Sequence, residues 1–247
     1  MTNPEENHQA FTEHLVELRT RIIHSLYAIL IGTILCWSIS EHIFALIKQP
    51  IISYLPEQGL IYTGPLDKFM TFLKLSFFSG VAISCPFWLY QIWKFVAPGL
   101  YSHEKKYSIG FIGFGTVMFF LGILFSYFVV LPMAFKFLMT FGGDADKPMI
   151  AIDRYLSFVS EIILMFGVAF ELPLVLVTLG LMGVIDVQFL KEKRRYAIVG
   201  ISILCAIITP PDAISMVLMM IPMILLYELS IVILKFMKPL PTNISST

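Results

Sequence analysis

Charge is what this chain has least of. Of 247 residues only 14 % are Asp, Glu, Lys or Arg, against 57 % hydrophobic, and the mean hydropathy is +0.83. A soluble domain of this size needs more charge to stay dispersed, so the surplus apolar surface is expected to face lipid. Cysteine is scarce as well. Cys36, Cys85 and Cys205 stand far apart, each inside an apolar run, which argues against a disulfide framework or a metal cluster and leaves them as small buried apolar residues. Common enzyme motifs are missing too: no G-x-x-x-x-G-K-[ST], no H-E-x-x-H, no G-x-S-x-G, and no His or Cys pair at metal-ligand spacing. None of the five histidines lies deep in an apolar segment. These absences point away from an enzyme or ATPase, and no metal or cofactor is expected. The N-terminal segment MTNPEENHQAFTEHLVELRTR is polar and acidic, without a basic region feeding a short apolar stretch, so no removable targeting peptide is expected.

What the chain has in abundance is long apolar runs. A membrane span needs roughly 20 mostly apolar residues to cross a hydrocarbon core of about 30 Å. By that measure the sequence predicts an all-α membrane protein with six spans, at roughly 22–40, 73–93, 108–132, 155–183, 196–209 and 213–234. They form one integral membrane domain over residues 1–247, without internal repeats. Pro210-Pro211 separates the last two spans, because neither residue donates a helical N–H, and Asp212 is placed to cap the sixth helix. The fifth span is short. Its ~14 residues reach only about 21 Å, which reflects either boundaries misplaced by a turn or a locally thinned bilayer. The first outer loop carries Pro50, and its segment HIFALIKQPIISYL is amphipathic enough for a short surface helix.

Orientation follows from the basic residues near span ends. With the N-terminus inside, the inner segments hold 11 of the 17 Lys and Arg residues and the outer ones 6. The cluster Lys191-Glu192-Lys193-Arg194-Arg195 contributes most. Both ends are therefore expected in the cytoplasm.

Three carboxylates occupy unusual places. Glu171 sits mid-span in Phe170-Glu171-Leu172-Pro173, where an ionised side chain costs about 2.5–3.5 kcal/mol on insertion scales. Pro173 cannot donate to the carbonyl of Ala169 and is expected to kink the fourth helix. The pair suggests a polar spot facing a cavity or a partner, with a carboxyl that merely hydrogen-bonds a neighbouring helix as the alternative. Glu161 and Glu228 lie nearer span ends and read as structural. Glu13 and Glu17 are four apart on the polar side of an amphipathic segment marked by Phe11, Leu15, Leu18 and Ile22. A like-charge pair is easier to rationalise if a cation binds, but Arg21, four beyond Glu17, equally offers an internal ion pair. In the inner loop after Pro98-Gly99, Glu104 precedes Lys105 and Lys106 at the start of the third span, where a helix-capping role competes with a binding one.

These residues together resemble the TatC family, the largest core subunit of the twin-arginine protein translocase. His14-Leu15-Val16-Glu17-Leu18-Arg19-x-Arg21 is similar to its N-terminal motif, and Tyr90-Gln91-Ile92-Trp93-Lys94-Phe95-Val96-Ala97-Pro98-Gly99-Leu100-Tyr101 with Glu104 to its first cytoplasmic loop. Phe170-Glu171-Leu172-Pro173 resembles its fourth helix and Thr209-Pro210-Pro211-Asp212 its last periplasmic hairpin. The similarity runs from about Phe11 to Lys238.

The resemblance implies a cupped, glove-like bundle with a kinked fourth helix and short fifth and sixth helices. It also implies a receptor for twin-arginine signal peptides on folded cargo and a scaffold for proton-motive-force-driven export through a bacterial inner membrane. By it, Glu17 and Glu104 meet the guanidinium groups, Phe95 and Arg19 belong to the same site, and Glu171 receives single-span TatA- and TatB-type partners. Pro50 and Asp212 serve on the periplasmic side, and several copies assemble in a receptor complex. Lys105 and Lys106 depart from the arginines frequent in relatives, and Pro65-Leu66-Asp67-Lys68-Phe69 from a more acidic form. The alternative is a proton-coupled small-solute transporter using Glu171 as carrier; the missing inverted repeat and the single deep carboxylate speak against it.

Overall fold

A computed structural model of the chain describes residues 4–52, 59–96, 108–140, 149–208 and 213–236. Among them the architecture is helical, with one isolated parallel bridge, Ile61 to Ala151, and no strand. The helices are α1 Pro4–Ser38, α2 Ser40–Ile52, α3 Asp67–Ile83, α4 Cys85–Val96, α5 Ser108–Phe125, a π-helical turn Ser126–Val130, α6 Leu131–Thr140, α7 Ile152–Ala169, α8 Leu172–Leu181, α9 Val187–Glu192, α10 Arg194–Ile208 and α11 Ala213–Phe236. Four stretches are long and apolar enough to cross a bilayer: Leu15–Ser38, Gly110–Thr140, Ile152–Leu181 and Met219–Phe236. The bent pair Asp67–Ile83 and Cys85–Phe95 makes a fifth if taken as one span. At the position of the expected fifth helix stands α10, whose 15 residues reach about 22 Å.

Prolines explain where these helices depart from the apolar runs. The second run breaks at Ser84, and its halves meet at 53°. Pro86 offers no N–H to Ala82 and its ring crowds that carbonyl, so one helix cannot continue. Ser84 Oγ and Trp88 Nε1 both donate to Val81 O, at 3.2 and 3.0 Å, and stabilise the break. The third run extends to Thr140, and ahead of Pro132 its ladder widens to the π spacing, the Leu131 N–H reaching Ser126 O. A local π adjustment is a common way to absorb a missing donor. In the fourth run the Phe170 N–H still reaches Phe166 O at 3.0 Å, and α-helical bonding is interrupted at Glu171. There the Glu171 N–H reaches back only three residues, to Val168 O at 3.0 Å, and Pro173 falls in the first turn of α8, where a missing N–H is tolerated.

The chain falls into two compact units, residues Met1–Ser40 with Phe72–Thr116, and Glu41–Thr71 with Val117–Thr247. In the first, α1 runs unbroken from Pro4, so the amphipathic lead-in and the span are one helix. It crosses α3 at Gly32 and Gly80, where a Cβ on Gly32 would sit 2.7 Å from Gly80 O. Only glycine permits that backbone approach. Trp93 of α4 stacks on Phe111 of α5, centroids 5.1 Å apart. Only 11 % of the α1 span window is buried, and Leu26, Leu30 and Ile34 are exposed, which leaves this helix to lipid or partners.

In the second unit α5 crosses α7 at Gly122 and Gly167, which face the Phe166 backbone and the Phe119 ring. Gly180 of α8 admits Leu234 of α11. The core here is Phe119, Leu131, Phe135, Leu156, Val159, Ile162 and Phe166, with Phe135 stacked on Tyr155 at 5.6 Å. The three cysteines are buried and none forms a disulfide, as their apolar settings predict.

Candidate functional site

In the first unit α1 and α4 bring three polar residues together. Residues 17 and 21 share a helix face at four-residue spacing. Arg21 Nη2 donates to Glu17 Oε1 at 2.9 Å, and Arg21 Nη1 donates to Gln91 Oε1 of α4 at 3.3 Å. Arg21 Nε is buried and without a hydrogen-bond partner. The internal ion pair, one of the two readings left open by the sequence, is present. It does not seal the carboxylate, because the Glu17 side chain stays 33 % exposed. A half-exposed pair of this kind contributes only about 0.3–0.5 kcal/mol. Phe95 lies one turn beyond Gln91 on the same side of α4, half-buried. Arg19 sits about 200° round α1 from Glu17 and is exposed. Glu104 lies outside the described residues.

The second unit holds Glu171. It occupies the break between α7 and α8, is 7 % exposed, and its Oε1 has no hydrogen-bond partner. The flanking side chains are apolar, with Phe125 in ring contact with Phe170 at 5.6 Å. Glu161 is exposed on α7. Glu228 has a structural partner, as its position near a span end suggested: Arg194 Nη2 donates to its Oε2 at 2.6 Å.

Pro50 stands in the last turn of α2. Lacking an N–H, it leaves Leu46 O without its helical donor, and its ring pushes the preceding carbonyls aside. Two tyrosines use them. Tyr127 Oη donates to Leu46 O at 2.8 Å, and Tyr155 Oη donates to Ile47 O at 2.5 Å. The extended segment before α3 is tied nearby, since Ile61 exchanges backbone bonds with Ile150 and Ile152, both at 3.0 Å. Asp212 and the Pro210-Pro211 turn lie outside the described residues. Sequence reasoning passes over Gln91, Tyr127 and Tyr155. A tyrosine inside an apolar run needs an acceptor for its hydroxyl, and that is the available signal for the last two.

Among the described residues no group of three or more His, Cys, Asp or Glu side chains could hold a metal ion. The arrangement offers an acidic, partly exposed guanidinium acceptor in one unit and a lone buried carboxyl in the other.

Comparison with known proteins gives one consistent result. The model of the family described as Sec-independent protein translocase protein (TatC) matches residues 13–222. The Sec-independent protein translocase protein TatC of Desulforapulum autotrophicum is 40 % identical over 229 residues, covering 92 % of this chain and 85 % of that protein. Its counterpart in Aquifex aeolicus is 43 % identical over 222 residues, covering 89 % and 92 %. A crystal structure described as the twin arginine translocase receptor TatC superposes with a TM-score of 0.84 at 42 % identity, covering 90 % of this chain and 98 % of that one. A second, in DDM, gives 0.83 at 40 % identity, covering 89 % and 98 %.

Proposed function

The chain belongs to the TatC family of Sec-independent protein translocase proteins, a multi-pass membrane component of the twin-arginine translocase, and on that premise we propose that it is the signal-peptide receptor and core scaffold of that machine. The observation that carries this reading is Glu17. It is a carboxylate on α1 held beside the end of α4, still one-third exposed, with Phe95 one turn from its Gln91 neighbour. Guanidinium pairs with carboxylate through a two-bond fork that lysine cannot reproduce, which accounts for a signal written in arginine. Glu104 supplies the second carboxylate, and Arg19 borders the site. Six spans with both ends cytoplasmic put this acidic site on the side where cargo is synthesised, in agreement with the 11-to-6 distribution of basic residues. The membrane is the bacterial inner membrane.

Glu171 is the docking point for single-span TatA- and TatB-type subunits, Pro50 and Asp212 organise the periplasmic side, and several copies assemble in the receptor complex. No nucleotide motif stands in the sequence. The driving force is the proton motive force, in which a membrane potential supplies about 2.3 kcal/mol per charge per 100 mV.

Crosslinking of a twin-arginine signal peptide to the protein in native membranes tests the receptor role. Capture is expected with the wild type and lost with a Lys-Lys peptide, with Glu17→Ala and with Glu104→Ala. Equal capture in all four combinations would remove the proposal.

A further inference from the structure

The Glu17 carboxylate is already engaged by a guanidinium of the protein itself. Arg21 makes one bond to Glu17 and one to Gln91, and its Nε is buried with no partner. This is an incompletely satisfied cation. Of the directions in which its fork presents donors, one meets a carboxylate oxygen, one meets a neutral amide at the longer distance of 3.3 Å, and one meets nothing. Guanidinium is at its strongest in two parallel bonds to a single carboxylate, and Arg21 does not reach that state.

We propose that Arg21 is an internal stand-in for the ligand, occupying Glu17 until a signal-peptide arginine displaces it, with Gln91 as the acceptor that retains Arg21 afterwards. The inference rests on the receptor reading of Glu17 and concerns how that site is regulated. An incoming guanidinium that takes both Glu17 oxygens replaces one bond with two. Arg21 keeps its bond to Gln91 and so is not left as an unpaired cation in a half-buried place, which would be costly. A lysine ammonium on the incoming peptide gains no such advantage over the bond it would have to break. The contact therefore raises the threshold for binding and sharpens the preference for arginine.

Quantitative crosslinking of a twin-arginine peptide to the full-length protein in membranes tests this, with half-saturation as the readout. Arg21→Met removes the competitor and is expected to lower half-saturation about twofold, in keeping with a half-exposed ion pair, and to narrow the gap between Arg-Arg and Lys-Lys peptides. Gln91→Glu gives Arg21 a charged alternative and should shift half-saturation the same way. Gln91→Leu withdraws the alternative and should shift it oppositely. The two Gln91 variants keep the test decisive if Arg21→Met folds poorly. Wild-type capture that depends on Glu17, combined with weaker binding in both Arg21→Met and Gln91→Glu, would make Arg21 a support for Glu17 and overturn the exchange alone. Unchanged half-saturation in those variants would overturn it as well. Wild-type capture indifferent to Glu17→Ala would overturn both this inference and the receptor reading.

Discussion

At the scale of single residues, the deep carboxylate is the most informative position. Glu171 is buried in an apolar setting at a break in helical bonding, and one of its oxygens has no partner. The proposed docking role would give that oxygen a partner outside the chain. Glu171→Gln keeps the shape and a hydrogen-bonding acceptor while removing the charge. It is expected to leave twin-arginine peptide crosslinking within about twofold of wild type, because the proposed peptide site lies on α1 and α4, and to impair co-purification of the single-span subunits and export. A substitution that changed neither would leave the docking role without support, and impaired uptake of a small solute by the purified protein in vesicles would favour the transporter reading instead. The sequence makes this residue conspicuous because an acid within a long apolar run is visible without any structure. Gln91 has no such visibility. A neutral amide near a span end has many bland uses, and only the placement of α1 against α4 shows that it accepts from Arg21.

Among the helices, prolines decide most of what hydropathy misses. Window hydropathy registers Pro86 and Pro132 as interruptions too small to matter, yet one breaks a helix by 53° and the other follows a π turn. Pro173, expected from the sequence to kink the fourth helix, lands in the first turn of α8, where its missing N–H costs little. Pro50 acts differently, because the carbonyl it frees, Leu46 O, is taken by Tyr127 from a distant part of the chain, while Tyr155 donates to the next carbonyl, Ile47 O. This makes a double-mutant test possible. Tyr127→Phe in the wild-type background leaves Leu46 O without a donor and is expected to cost about 1 kcal/mol in thermal unfolding in detergent. In a Pro50→Ala background the backbone N–H restored at that position can serve Leu46 O, so the same tyrosine substitution should cost clearly less. Tyr155→Phe, whose acceptor is Ile47 O, should cost about the same in either background. Additive losses for Tyr127 and Pro50 would show that the two do not communicate through that carbonyl. The amphipathic character of α2 is legible in its sequence; its fastening is not, since a carbonyl acceptor leaves no trace in residue identity.

For the molecule as a whole, composition is enough to find a membrane protein, but span counting by length stops at four or five because α10 is too short. The contacts around α10 carry the topology further. Arg194 at its start pairs with Glu228, about two turns before the end of α11, and Tyr227 Oη donates to Leu190 O at 2.7 Å. The chain therefore leaves and returns to one level. From Arg194 to Ile208 is 15 residues, and from Ala213 to Glu228 is nearly the same length, so both arms reach about 22–24 Å. On that geometry the side of the membrane that holds Lys191, Lys193, Arg194 and Arg195 also holds the end of α11 at Phe236. The positive-inside rule assigns the basic cluster to the cytoplasm, and on the proposed orientation the end of α11 lies there too, whether or not the arms span the full hydrocarbon thickness. Two reporters separate these questions. One fused after Thr247 is expected to be active only in the cytoplasm, and activity on the outer side would reject the orientation. One inserted between Ile208 and Ala213 is expected to be active only outside, because arms of ~22 Å can reach the far surface if the bilayer thins around them by a few ångströms, at a cost of fractions of a kcal/mol per Å. Activity of that second reporter in the cytoplasm would make the pair a re-entrant hairpin and reduce the crossings to four, with the C-terminus unmoved.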